Sequence, residues 1–161
     1  MTRNGIWLSL GLGLLAFVLD RAFKYVQIDV LHWTTGSFTE LLPIIDVGLV
    51  YNSGVSYGLL SWLPPWGLGL VVAVAFAALV VWWARSPSRL VRAALAICIG
   101  GAASNIVDRL LYGSVADSFW LHLGDYSFFI FNLADAAITA GVLLLALDLL
   151  GIGRPRHANA T

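Results

Sequence analysis

The sequence predicts an α-helical membrane protein, with four transmembrane helices and a small β-structured element on the outer side. Three observations carry this. First, only 11% of the 161 residues are charged and 60% are hydrophobic. A soluble domain carries about 25% charged residues, so this chain cannot cover a water-facing surface. Second, four apolar stretches recur along it. Third, its basic residues gather in the segments that would share one side of a bilayer.

The first apolar stretch, Gly5 to Leu19, is fifteen residues long and then meets Asp20 and Arg21. Fifteen helical residues rise about 22 Å, short of a hydrocarbon core of about 30 Å. The helix is therefore expected to run on through Asp20 and Lys24 to Val26. No small-residue cleavage site follows the run, so a removable leader is not expected. The other stretches, 66–84, 90–111 and 128–150, are each long enough to span. The third holds Gly100-Gly-Ala-Ala-Ser104, small residues that let helix backbones approach closely in a bilayer.

Arg3, Arg85, Arg89, Arg92, Arg154 and Arg156 fall on one side under this arrangement, which the positive-inside rule makes cytoplasmic. Both termini are then expected inside, with the 27–65 and 112–127 connections outside. The longer connection is too apolar for a plain loop. Leu49-Val-Tyr-Asn52 and Val55-Ser-Tyr-Gly58 have strand composition, and Pro64-Pro65 ends the segment. Its aromatic residues Trp33, Phe38, Tyr51, Tyr57, Trp62 and Trp66 suit the outer interface. The whole of 1–161 reads as one domain.

Zero net charge argues against a nucleic-acid partner. The single Cys98 lies in an apolar run, so no internal disulfide forms. His32, His122 and His157 lack the spacing of a metal site, and no metal or cofactor is expected. The chemistry-bearing residues are aspartates. Asp20 and Lys24 are spaced i, i+4 and can pair. Asn105, Asp108 and Arg109 share a helix face; Arg109 is expected to pair with Asp108, giving it a structural role. Asp117 and Asp135 have no basic residue within four positions. Separated by 18 residues, they can converge at the outer interface. Two carboxylates sharing a site resist double ionisation, which supplies one general base and one general acid. The alternative is that both cap helix ends, Asp135 in particular.

Five blocks in order give the chain a family likeness: Asp20-x-x-x-Lys24, Asn52-Ser-Gly54-Val-Ser-Tyr57, Gly100-Gly-Ala-Ala-Ser-Asn105-Ile-Val-Asp108-Arg109, Val115-Ala-Asp117 and Phe131-Asn132-Leu-Ala134-Asp135. Over nearly its whole length the chain resembles lipoprotein signal peptidase (signal peptidase II). The resemblance implies an aspartyl endopeptidase of the bacterial inner membrane, with four membrane helices and a periplasmic β-cradle. It implies cleavage of prolipoproteins before a diacylglyceryl-modified cysteine. The family's catalytic aspartates fall on Asp117 and Asp135. Asp20, Lys24, Asn52, Gly54, Asn105, Asp108, Arg109, Asn132 and Ala134 match positions that line or support its pocket. The implied partners are lipid-modified prolipoproteins and membrane lipids, and the chain is expected to act as a monomer. Ser104 and Ser118 depart from the family's usual Gly and Phe. Two rivals remain, an ion-coupled transporter and a silent lipopeptide-binding relative. The transporter needs polar groups across all spans, whereas the inner halves here are apolar apart from Asp148.

Overall fold

The computed structural model describes residues 3–54 and 62–151. Val55–Gly58, Tyr57 included, and the basic tail residues Arg154 and Arg156 lie outside them. Helix α1 covers Arg3–Tyr25 and continues as a π-helical segment, Val26–Val30. Strands β1 (Phe38–Leu42) and β2 (Ile45–Asn52) follow, then α2 (Pro65–Arg85), α3 (Arg89–Tyr112), β3 (Val115–Leu123), β4 (Tyr126–Phe131) and α4 (Leu133–Leu149).

Local chemistry sets the helix ends. Pro65 opens α2 at a position where no amide hydrogen is needed. Pro87 holds Ser86 extended and stops it. The Ser88 hydroxyl caps α3 by accepting from the Val91 amide, and Gly113, at φ 71°, closes α3 in the left-handed conformation.

Helix α3 is the central helix, packed against α1, α4 and, less extensively, α2. Small residues permit this. A Cβ on Gly100 would overlap the carbonyl of Gly13 in α1, and one on Gly101 would sit 2.5 Å from the Ala134 carbonyl of α4. Gly141 of α4 packs on Ala94 and Cys98. Outward faces carry exposed large apolar residues such as Leu14, Leu70, Val74 and Leu143, as lipid contact requires. Among the described residues, three helical stretches are long and apolar enough to cross a membrane: Gly5–Val30, Trp66–Arg85 and Arg89–Tyr112.

The four strands form one antiparallel sheet in the order β1-β2-β3-β4. This corrects two expectations. The outer β-element is not confined to 27–65, because half of it comes from 115–131. Nor does the fourth helix begin at Phe128: Tyr126–Phe131 pair with β3, and α4 starts at Leu133 with 17 residues. An apolar run by itself cannot separate strand from helix. Trp62 and Trp66, beside the start of α2, are exposed. Phe38 and Tyr51 instead pack within the fold, on Trp120 and Tyr112.

The α1–α3 approach is testable. Gly100→Val forces the two backbones apart and is expected to destabilise the protein by about 1–3 kcal/mol, seen as a lower thermal midpoint in detergent. Gly11→Ala, whose Cβ meets open space, leaves the midpoint unchanged or raises it.

Candidate active site

The two unpaired aspartates of the sequence reading come together where the sheet meets the helices. Asp117 lies on β3, and Asp135 lies in the first turn of α4. Both line one cleft of about 180 Å³, with Asn52, Gly54, Asn105 and Arg109 as polar neighbours and Val72, Ile130 and Ile138 as apolar walls.

Neutral amides hold both carboxyl groups. Asp117 accepts from Asn132 Nδ2 at 2.7 Å and Asn52 Nδ2 at 3.1 Å. Asp135 accepts from Asn105 Nδ2 at 2.9 Å. Asn132 also caps α4: its Oδ1 accepts from the Asp135 amide, and Asp135 Oδ2 accepts from the Asn132 amide at 3.3 Å. Asp135 is thus a capping residue as well as a cleft carboxyl. One fully buried asparagine links the two acids. Burial, and secondarily the charge of Asp135, pushes Asp117 from 3.8 up to about 6, although the amides favour its ionised form.

Behind the cleft lies a buried ion cluster. Lys24 Nζ is 2.7 Å from Asp20 Oδ2 and 2.6 Å from Asp108 Oδ2, and all three side chains are fully buried. Arg21 completes the cluster on Asp108 Oδ1, so two cations meet two anions. Asp108 Oδ2 accepts from the Ala116 amide at 3.1 Å, and Asp20 Oδ1 accepts from the Ala134 amide at 2.9 Å. Ala116 and Ala134 each directly precede a cleft aspartate. Lys24 further donates to Asn105 Oδ1 at 3.3 Å, turning the Asn105 amide toward Asp135.

The structure brings together the candidate site residues of the sequence reading, with one change of partner. Arg109 does not pair with Asp108. It donates to the Gly54 carbonyl at 2.8 Å, while Gly54 N donates to Asn52 Oδ1 at 3.0 Å, so Arg109 braces the turn after β2. Adjacent helix residues point apart, and the cations on Asp108 come from α1. Sequence reasoning missed Gln27, which is 1% exposed. The available signal was its i+3 spacing from Lys24, which puts both on one face. No group of three or more metal-ligating side chains is gathered among the described residues.

Comparison with known proteins accords with this geometry. Residues 12–151 match the family model described as signal peptidase (SPase) II. The chain belongs to the signal peptidase II family. The lipoprotein signal peptidases of Brucella ovis and Brucella melitensis biotype 1 are each 37% identical over 162 residues, covering 99% of this chain and 100% of theirs. Two solved bacterial membrane enzymes, determined by the in meso method at 2.3 and 1.9 Å, are also similar. Their TM-scores are 0.79 and 0.74 at 25% identity, covering 95% and 88% of this chain and 93% and 92% of theirs. As a member of the signal peptidase II family the chain is a membrane-embedded peptidase. Its departures from the family pattern are buried and bonded: Ser104 donates to Asp20 at 2.6 Å and Ser118 to Gln27 at 2.7 Å.

Lys24→Met removes the shared cation and leaves Asp20 and Asp108 under-compensated. Breaking a buried charge pair costs about 3–5 kcal/mol. A strongly lowered unfolding midpoint in detergent is expected; a wild-type midpoint would show the cluster to be energetically idle.

Proposed function

We propose that Asp117 and Asp135 are the catalytic pair of an aspartyl endopeptidase. As a signal peptidase II family member, the chain removes signal peptides from prolipoproteins. The observation that carries the aspartyl reading is the shared cleft: two carboxyls, tied through Asn132, line one open space.

In the proposed mechanism, one carboxylate takes a proton from water as the water attacks the scissile carbonyl. The other, protonated, delivers its proton to the leaving amine. The pair titrates as a unit, so the roles belong to the pair rather than to either residue. Asn52, Asn105 and Asn132 orient the carboxyls, and Asn52 and Arg109 face the substrate backbone. The bond cut is the one before a diacylglyceryl-modified cysteine, whose acyl chains stay in the bilayer while the peptide enters sideways past α2.

The proposal extends to topology. All four helices cross the bacterial inner membrane as one domain, with both termini cytoplasmic and the cleft on the periplasmic side. Helix α4 rises only about 25 Å; the apolar strand β4 fills the rest of the outer interface. Arg85, Arg89 and Arg92 at the opposite end support this orientation. The chain acts as a monomer among membrane lipids.

The test is incubation of the purified protein with a diacylglyceryl-modified prolipoprotein. Asp117→Asn and Asp135→Asn are each expected to fold and to lose cleavage by about 10²–10⁴-fold, whereas Asp148→Asn, at the far end of α4, cleaves normally. Either asparagine variant cleaving at the wild-type rate refutes the pair.

The same assay gives a pH dependence. Asp117 keeps its proton up to about 6, and a singly protonated pair is the active form. The rate is expected to follow a bell with one limb near pH 6. A rate flat between about pH 4 and about pH 8 would contradict the assignment.

A further inference from the structure

Strands β2 and β3 pair with a break in register. Val47 faces Phe119 and Val50 faces Asp117, so Gly48 and Leu49 together stand opposite Ser118. This is a β-bulge beside a proposed catalytic residue, and bulges re-aim the side chains that follow them. After the bulge, Val50 pairs with Asp117 and Asn52 with Val115. Side chains alternate along a strand and paired residues point the same way, so Asn52, Val115 and Asp117 share one face. All three line the cleft. Without the extra residue, Leu49 would stand opposite Asp117 and Tyr51 opposite Val115. Asn52 would then turn to the other face, since a one-residue slip inverts every side chain.

A single side chain occupies the bulge. Gln27, in the π-helical segment after α1, donates its amide hydrogen to the Gly48 carbonyl and accepts from Ser118 Oγ at 2.7 Å. One amide therefore bonds both strands where the register breaks. Gly48 suits the same spot, because a Cβ there would overlap the Ser37 carbonyl and the Phe38 ring.

We propose that Gln27 is a positioning residue, holding the β2 bulge so that Asn52 reaches Asp117. This rests on the aspartyl reading of the cleft, whose own failure is read from Asp117→Asn. Charged groups facing Asp117 are Asp135 from α4, Lys24 from α1 and Arg109 from α3, and changes at Gln27 leave all three in place.

The experiment compares Q27M, N52A, S118A and the Q27M/N52A pair in the full chain, measuring cleavage rate against pH and unfolding in detergent. Asn52 donates to the ionised form of Asp117, so losing that bond raises the proton affinity of the pair whichever acid is the base. Q27M is expected to shift the bell toward higher pH by about one unit, the size of one lost hydrogen bond to a charged group. N52A shifts it equally, and the pair shifts it no further. A wild-type profile for Q27M, whatever its stability, overturns the proposal, as do shifts that add in full. Should Q27M fail to fold, S118A decides: a smaller shift in the same direction supports the proposal and an unmoved profile overturns it.

Discussion

The ammonium of Lys24 is the constraint on which the rest of this molecule depends. It is fully buried in a membrane protein, where an uncompensated charge costs several kcal/mol. It is shared by Asp20 of its own helix and Asp108 of α3. Those carboxylates also accept from the backbone amides of Ala116 and Ala134. One neutral cluster therefore fixes α1 to α3 and fixes the chain one residue before each cleft aspartate. The sheet strand and the helix that carry Asp117 and Asp135 are set relative to each other by this cluster and by Asn132, which caps α4 and bonds Asp117.

The close helix packing follows from the same requirement. A lysine side chain has a limited reach, so α1 and α3 must lie close together for Lys24 to touch Asp108. Gly13 and Gly100 remove the side chains that would hold them apart. The small residues and the ion cluster are two halves of one arrangement, set a few turns apart on the same helix pair.

What the sequence made legible follows the range of the interactions involved. The Asp20–Lys24 pair is a local helix contact, and spacing reveals it. The convergence of Asp117 and Asp135 was readable as a possibility, because a short connection had to return to the membrane. The partners of Asp108 were not readable, since Arg21 and Lys24 reach it across 87 and 84 residues of chain. Strand β4 was hidden in an apolar run, although Asn132 and Asp135 together carried a helix-start signal that places the boundary at Leu133. The bulge at Gly48 had no local signal beyond the glycine itself. The side chain bonded there, Gln27, lies about twenty residues earlier, and only the folded chain brings the two together.

The contrast between the two pairs of aspartates is the final step in connecting this fold to its chemistry. Asp20 and Asp108 meet an ammonium and a guanidinium directly, which suits groups that tie helices together. Asp117 and Asp135 meet asparagine amides directly instead. A cation at hydrogen-bond distance would hold a carboxylate ionised through the whole working pH range. A neutral amide fixes its orientation while leaving both protonation states within reach. Burial then raises Asp117 to about 6 rather than leaving it at 3.8. A carboxyl that must gain and lose a proton near neutrality needs that combination of firm geometry and weak electrostatic commitment. The chain keeps Lys24 and Arg21 one layer behind the cleft, where they fix the backbone, and the one cation on the cleft wall, Arg109, donates to the Gly54 carbonyl rather than to either carboxyl.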